Sequence, residues 1–130
     1  MHYELYLPFP PTVNNYYKKS KAGGRYISEK GRLFRALVEE AVVEQLPFVH
    51  IDERVLVEAV IFPPDRRKRD IANYEKALSD SLTEAGLWED DELIDQYFMY
   101  RGVVVKGGQV FIRITEAGPL ISDPGMLPVN

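Results

Sequence analysis

An apolar run at residues 54–62 constrains the fold of this chain more than any other segment. It reads Arg-Val-Leu-Val-Glu-Ala-Val-Ile-Phe and is followed by Pro63-Pro64, and proline cannot donate to a β-ladder. The run is far shorter than the ~20 apolar residues that cross a bilayer. Near-continuous apolar character is typical of a central strand that is covered on at least part of both faces. The sequence therefore predicts a sheet with this strand inside it.

Three further strands are predicted from β-prone segments on either side of this run. Residues 2–7 end at Pro8, which closes a first strand. The last two strands are predicted at 94–104 and 109–115. The Lys-Gly-Gly sequence between them, at 106–108, is typical of a hairpin turn, so we expect these two strands to be antiparallel.

Two amphipathic helices are predicted between the strands. The first follows Ser28, a typical N-cap, and ends before Pro47. The second extends from about 71 to 85, with Asp70 to cap its start and Gly86 to close its end. Because each helix has a single apolar face, we expect both to cover one side of a small mixed sheet, in an α+β fold of order βαβαββ. The apolar face of the first helix comprises Leu33, Phe34, Leu37, Val38, Ala41 and Val42.

The length of 130 residues suits one domain, which we place at residues 1–117. Residues 118–130 are rich in proline and are predicted to form a flexible tail. Residues 12–26 are predicted to be a long basic loop between the first strand and the first helix. No membrane span or signal peptide is predicted, and the absence of cysteine excludes disulfides, thiolate metal sites and a cysteine nucleophile.

Charge is distributed unevenly along a chain whose net charge is −4. Residues 18–35 carry seven lysines and arginines against a single acid, Glu29, and residues 66–69 read Arg-Arg-Lys-Arg. The acids gather at 39–44 and 80–95. Segregated charge of this kind lets a negatively charged protein present one basic face to nucleic acid.

The segment 63–91 carries the residues with the clearest chemistry. The four basic residues at 66–69, here called the basic loop, precede a predicted helix start at Asp70, and we expect their side chains to be exposed. On a wheel with about 100° per residue, Asp70, Asn73 and Lys76 share an exposed side near this loop. Carboxylates suit magnesium, a lysine stabilises phosphoryl charge, and arginines hold a phosphate backbone. This set of groups is typical of metal-dependent phosphodiester hydrolysis.

Each of these motifs also has an ordinary structural explanation. The basic loop can be a solvated turn, Asp70 a helix cap, Lys76 a solvent-facing helix residue, and Asp90-Asp91 an acidic turn. Residue by residue, the sequence leaves three classes of protein open: an endonuclease, a non-catalytic DNA-binding module, and a protein-interaction domain.

Taken in order, the separated motifs resemble the RusA family of Holliday junction resolvases. The resemblance covers residues 7–116, nearly the whole chain. Several motifs in one order are more specific than any one of them alone. They are an opening segment at 7–17, the basic loop and its aspartate at 64–70, Asn73, Lys76, Gly86-Leu87-Trp88, Asp90-Asp91 and the turn at 106–108.

The resemblance implies a homodimeric, magnesium-dependent endonuclease, with manganese able to replace magnesium. Such an enzyme binds four-way DNA junctions by their structure and nicks two opposing strands symmetrically, in recombination and repair. It would act in the cytoplasm of bacteria, where family members are often encoded by prophages. By position, Asp70, Lys76 and Asp91 are the implied catalytic residues, and Asp70 and Asp91 are the implied metal ligands. The implied DNA-binding residues are Arg66, Arg67, Lys68, Arg69, Asn73 and Lys76.

One position departs from the family pattern. The family's run after the basic loop is Asp-hydrophobic-Asp-Asn, whereas here it is Asp70-Ile71-Ala72-Asn73. An alanine side chain cannot bind a metal, and on the helix wheel position 72 lies beside Lys76. Either the carboxylate was replaced deliberately, to give a form that binds DNA without cutting it, or a divergent member recruits Asp90 or Glu75. In both cases we expect impaired cleavage.

Overall fold

A four-stranded mixed sheet forms the centre of the computed structural model, which describes residues 1–128. Its strands lie in the order β1-β6-β4-β5, and a separate two-stranded hairpin is formed by β2 and β3. The elements are β1 (His2–Leu7), α1 (Val13–Tyr16), β2 (Tyr17–Lys19), β3 (Arg25–Ile27), α2 (Glu29–Gln45), β4 (Val55–Phe62), α3 (Glu75–Glu84), β5 (Ile94–Arg101) and β6 (Gln109–Glu116).

The predicted central strand is confirmed, because β4 pairs along both of its edges. It runs antiparallel to β6 and parallel to β5, so that Val57 lies beside Ile114 on one side and Tyr97 on the other. The parallel pair is joined through α3, as a crossover between parallel strands requires. On its far edge β6 pairs antiparallel with β1. The α+β class with a small mixed sheet is therefore confirmed.

The predicted hairpin between the last two strands is wrong, because β4 lies between β5 and β6. The glycines at 107 and 108 do take positive φ values of 82° and 73°. The segment that they belong to passes across the end of β4, where Gly102 N–H donates to the Ile61 carbonyl and Val105 N–H to the Pro63 carbonyl. The glycine turn was predicted correctly, but β5 and β6 do not pair with each other, because β4 pairs with β5 along one edge and with β6 along the other.

Burial alternates along β4, which gives the sheet one covered face and one open face. Val55, Val57, Ala59 and Ile61 are fully buried, and the residues between them are half-buried. The covered face packs with α2 and α3 in a single apolar core. The open sheet face carries the aromatic side chains of Tyr6, Phe98, Tyr100 and Phe111 and the ion pair between Arg113 and Glu58. Coverage of both faces of β4, expected from its composition, is thus not provided by the part of the chain that the structure describes.

The first predicted helix is confirmed with its cap. The Ser28 side chain accepts from Gly31 N–H at 2.9 Å, and α2 continues to Gln45. Its buried face is narrower than predicted, because Leu33 and Leu37 are 63% and 41% exposed. These two side chains lie at the edge of the stripe formed by Phe34, Val38, Ala41 and Val42, beyond the reach of the sheet.

The long loop predicted at 12–26 is in fact mostly ordered by hydrogen bonds. The short helix α1 leads into the β2–β3 hairpin, which turns through Gly23 and Gly24 at positive φ. Tyr16 anchors the hairpin because its ring is fully buried and its carbonyl accepts from Ser28 N–H. A β-carbon at Gly31 would lie 2.5 Å from that carbonyl oxygen, so glycine permits the close approach of α2.

The second predicted helix begins differently from its prediction. Residues Ile71–Tyr74 form a 3₁₀ turn, and the α-helix starts only at Glu75. Gly86, at a φ of 82°, ends it as predicted. A 3₁₀ turn has three residues per turn, so a wheel with 100° per residue does not describe positions 70–74. The shared face predicted for Asp70, Asn73 and Lys76 therefore does not follow from helix geometry.

Residues 118–128 lie outside the sheet, with a 3₁₀ turn at Pro124–Met126 and exposed side chains. The rest of the predicted tail, 129–130, lies outside the described residues. Within the described part of the chain, the helices are too short or too polar to cross a membrane.

Candidate active site

Lys76 is held in place by an aspartate that the sequence analysis missed. Its ammonium group lies 3.1 Å from Asp80 Oδ1, one turn further along α3. The Asp80 side chain is only 14% exposed, and its other oxygen accepts a hydrogen bond from the Tyr17 hydroxyl. The i, i+4 spacing of a lysine and an aspartate is the signal that could have revealed the pair.

Asp91 lies within range of the charge of Lys76 because the chain reverses after α3. The reversal is fixed by Trp88, which is 1% exposed and whose indole N–H donates to Thr83 Oγ1 at 2.8 Å. Leu87 is fully buried, and its carbonyl accepts from Ile51 N–H. The chain then enters a 3₁₀ turn at Asp91–Leu93. The position of the acidic turn relative to α3 therefore depends on these buried side chains.

The electrostatics of Lys76 and Asp91 reflect this neighbourhood. Asp80 is the main cause of a raised pKa for Lys76, with smaller contributions from Asp91 and Glu75. The pKa of Asp91 is also raised, first by burial and then by its neighbours Asp90 and Asp80, against the attraction of Lys76. The site thus carries an ammonium group surrounded by carboxylates, one of which is partly desolvated.

Asp70 stands apart from this group in its contacts. It is exposed, and its carboxylate accepts from Ala72 N–H at 3.1 Å, as a cap of the 3₁₀ turn. Among the described residues, no ion pair joins Lys76 to Asp70 or to Asp91, and of these two carboxylates only Asp91 contributes its charge to the raised pKa of Lys76. Ala72 and Asn73 are exposed in the same turn. The structure therefore places Lys76 within range of the charge of Asp91, and Asp70 caps the turn that precedes α3.

A metal ion would find an incomplete set of ligands here. Within residues 1–128, no group of three or more His, Cys, Asp or Glu side chains is placed to hold one. Asp70 and Asp91 remain as candidate ligands, with a methyl group at position 72. Magnesium is often bound by one or two carboxylates together with water and substrate phosphates. Carboxylates are of the chemical type that such a cation takes, and in the described residues these two do not form a closed cage.

The basic loop is organised by Asp65. Its carboxylate pairs with Arg69 at 2.7 Å and with Arg67 at 3.0 Å. These guanidinium groups, Arg69 first, hold the pKa of Asp65 well below its usual range. Arg66 and Lys68 are exposed and make no ion pair within the described chain. Asp65 thus fixes two of the four cations and leaves the other two to solvent.

Arg69 was expected to be exposed, but most of its side chain is covered. Its side chain is 14% exposed and lies over the Phe9 ring, 5.6 Å from the centroid. Its own carbonyl accepts from the Arg101 guanidinium at 3.0 Å, which ties the loop to the end of β5. The loop and residues 101–104 border a groove of about 510 Å³. Arg69 therefore shapes the loop, because its guanidinium group pairs with Asp65 and lies over the Phe9 ring.

A half-buried tyrosine close to this site has a buried hydroxyl without a hydrogen-bond partner. Tyr97 is on β5, on the covered face, and its hydroxyl is the one buried side-chain polar atom without a partner in the described residues. Nearby, the Ser79 hydroxyl donates to Glu75 Oε1 at 2.6 Å. Burial, followed by the charge of Glu75, raises the pKa of Tyr97, and the nearby Ser79 hydroxyl, which donates to Glu75, lowers it.

Comparison with known proteins identifies a single family. The model of the family described as endodeoxyribonuclease RusA matches residues 8–115. The crossover junction endodeoxyribonuclease of Enterobacteria phage HK97 is 38% identical over 88% of this chain and 94% of its own length. The enzymes of Escherichia coli O139:H28 (strain E24377A) and strain K12 are 35% and 34% identical, over 89% of this chain and 96% of theirs.

Proposed function

Since this chain belongs to the RusA family of endodeoxyribonucleases, we propose that it binds four-way DNA junctions and resolves them by paired symmetric nicks in recombination and repair. The observation that carries the proposal is a lysine, Lys76, that Asp80 holds within range of the charge of Asp91, after a basic loop, in a chain matched by the family over 8–115.

Binding rests on the cations of the basic loop. Arg66 and Lys68 are free to contact phosphates, and Arg67 extends 80% exposed from its pairing with Asp65. Phosphate contacts position a protein on DNA without reading sequence. Asn73 and Lys76 continue this surface into the site. Arg69 contributes by holding the loop in shape and adding to its positive potential.

Cleavage rests on Lys76 and two carboxylates. The Lys76 ammonium stabilises negative charge on the reacting phosphate, and Asp80 keeps it oriented. Asp70 and Asp91 would hold Mg²⁺, with Mn²⁺ able to replace it. Bound there, the ion supplies an activated water and neutralises phosphoryl charge.

Ala72 limits the cleavage step but not binding. Position 72 is exposed beside Asp70, where the family pattern has a carboxylate. A non-catalytic protein that binds junctions through the same basic loop is the second candidate function, and the absence of a three-carboxylate group in the described residues favours it.

Symmetric nicking requires two sites, so we propose a homodimer. A closed two-fold dimer matches the approximate two-fold symmetry of an open four-way junction. We place it in the cytoplasm of a bacterial cell, where recombining chromosomal or phage DNA forms such junctions.

The test is cleavage of a synthetic four-way junction with and without magnesium. We expect Ala72→Asp to increase magnesium-dependent cleavage by orders of magnitude at unchanged junction affinity, because it supplies a missing ligand. Asp70→Asn in the Ala72→Asp background is the matched control and should abolish the gain. Tight binding with no cleavage by either protein would favour the non-catalytic candidate, and an absence of junction binding would refute the proposed function.

A further inference from the structure

The β2–β3 hairpin is a basic surface without a balancing acid. It carries Lys18, Lys19, Lys21 and Arg25, all exposed, and no aspartate or glutamate lies in residues 5–28. None of these cations makes an ion pair within the described chain. Arg25 instead lies over the Tyr17 ring, 4.4 Å from its centroid.

The pairing of the hairpin places like charges opposite each other. Lys19 is the cross-strand partner of Arg25, and Lys18 is the partner of Tyr26. Like charges directly opposite in an antiparallel pair destabilise it. A surface that keeps two cations opposite each other, neither of them in an ion pair within the described residues, is suited to a polyanion that relieves the repulsion on binding.

The hairpin begins at the candidate active site. Tyr17, its first residue, donates its hydroxyl hydrogen bond to Asp80, which in turn pairs with Lys76. A cavity of about 270 Å³ at this point is lined by Val13, Asn14, Tyr17, Lys18, Lys19 and Arg25. DNA whose scissile phosphate lies at Lys76 therefore has the hairpin directly beside it.

We propose that the β2–β3 hairpin is a second phosphate-binding surface, which holds the DNA backbone on the Tyr17 side of Lys76. The inference rests on the proposed function, because it presupposes DNA at this site. It adds a DNA-binding region separate from the basic loop at 66–69, which lies before the 3₁₀ turn that leads into α3.

The experiment measures junction affinity at several salt concentrations in magnesium-free buffer for four proteins. These are the unmodified chain, Lys18→Ala/Lys19→Ala, the charge-conserving Lys18→Arg/Lys19→Arg, and Arg66→Ala/Lys68→Ala in the basic loop. We expect Lys18→Ala/Lys19→Ala to bind the junction more weakly than the unmodified chain. Its plot of log affinity against log salt should also be less steep, by about one unit for each phosphate that the variant no longer neutralises. The arginine variant should retain the slope of the unmodified chain.

The outcomes separate the hairpin from the function as a whole. An unchanged slope in Lys18→Ala/Lys19→Ala, alongside a reduced slope in Arg66→Ala/Lys68→Ala, would overturn the hairpin proposal and leave the proposed function standing. An unmodified chain without salt-dependent junction affinity would overturn both. Thermal unfolding of each variant establishes that the fold is retained, and Lys18→Gln/Lys19→Gln replaces the alanine variant if that one does not fold.

Discussion

Removing the hydroxyl of Tyr97 should stabilise this protein, which is the reverse of the usual effect of trimming a buried side chain. The hydroxyl is buried without a hydrogen-bond partner, while the ring packs on the core. A buried polar group without a partner carries a desolvation penalty of roughly 1–3 kcal/mol. Tyr97→Phe removes that penalty and keeps the ring, so we expect the free energy of unfolding to rise by about 1 kcal/mol. For a chain of this length that corresponds to an increase of about 3–5 °C in Tm.

The same substitution at Tyr16 is the matched control and should have the opposite sign. Tyr16 is fully buried, and its hydroxyl accepts from Arg35 Nε at 2.6 Å and lies 3.3 Å from Ser81 Oγ. A hydrogen bond to a charged group contributes about 1.5–3 kcal/mol. Tyr16→Phe leaves the Arg35 donor without its acceptor, so we expect a loss of about 2 kcal/mol.

Urea unfolding of the three proteins in magnesium-free buffer measures both effects. The slope of unfolding free energy against urea should be the same in all of them, because the surface exposed on unfolding does not change. A loss of stability in Tyr97→Phe comparable to that in Tyr16→Phe would refute the reasoning, since it would mean that the Tyr97 hydroxyl is paired in solution, with Ser79 or Glu75 as the nearest candidates.

Three further predictions concern the site. Arg66→Ala should weaken junction binding in a gel shift without changing Tm, whereas Arg69→Ala should lower Tm, because only Arg69 is packed inside the loop; equal Tm values would contradict this. Lys76→Ala, in the Ala72→Asp background, should reduce the cleavage rate by ~10²–10³ at nearly constant affinity; equal losses in both would make Lys76 an ordinary phosphate contact. Asp91→Asn should stabilise the magnesium-free protein at neutral pH, because the raised pKa of Asp91 means that the fold disfavours its ionised form. This gain in unfolding free energy should shrink as the pH falls from the raised pKa of Asp91 to the ordinary pKa of an aspartate, because the unmodified side chain then becomes neutral as well. A gain that grows in acid would contradict the expected direction.

Local signals in the sequence predicted the elements well. The apolar run at 54–62 indicated the central strand. Ser28 and Asp70 were identified as caps, because a short polar side chain just before a helix accepts hydrogen bonds from its free backbone N–H groups. The neighbours of the last two strands could not be predicted. Two strands joined by a glycine turn pair only if no third strand offers a better edge, and β4 does so through contacts far away in sequence.

The site was predicted in part, and its gaps have physical causes. Lys76 and Asp91 were singled out, but their proximity depends on the buried reversal at Trp88. Asp80 was missed because an acid one turn after a lysine is common on any helix surface, and only the fold shows that Tyr17 covers it. Arg69 was expected in solvent because a run of four cations gives no sign that an aromatic ring will lie beneath one of them.

The pairing of β1 with β6 has a consequence for how the protein is made. Leu7 lies beside Val110 and His2 beside Thr115, so β1 leaves the ribosome long before its partner strand is synthesised. Contacts between such distant segments slow folding, because a long loop must close before they form. Until β6 emerges, β1 has no neighbour and the inner edge of β4 is unpaired, a state in which exposed strand edges attach to other chains. The sheet therefore completes only after translation has passed Glu116, and a chain cut short within β6 loses β1 from the sheet as well.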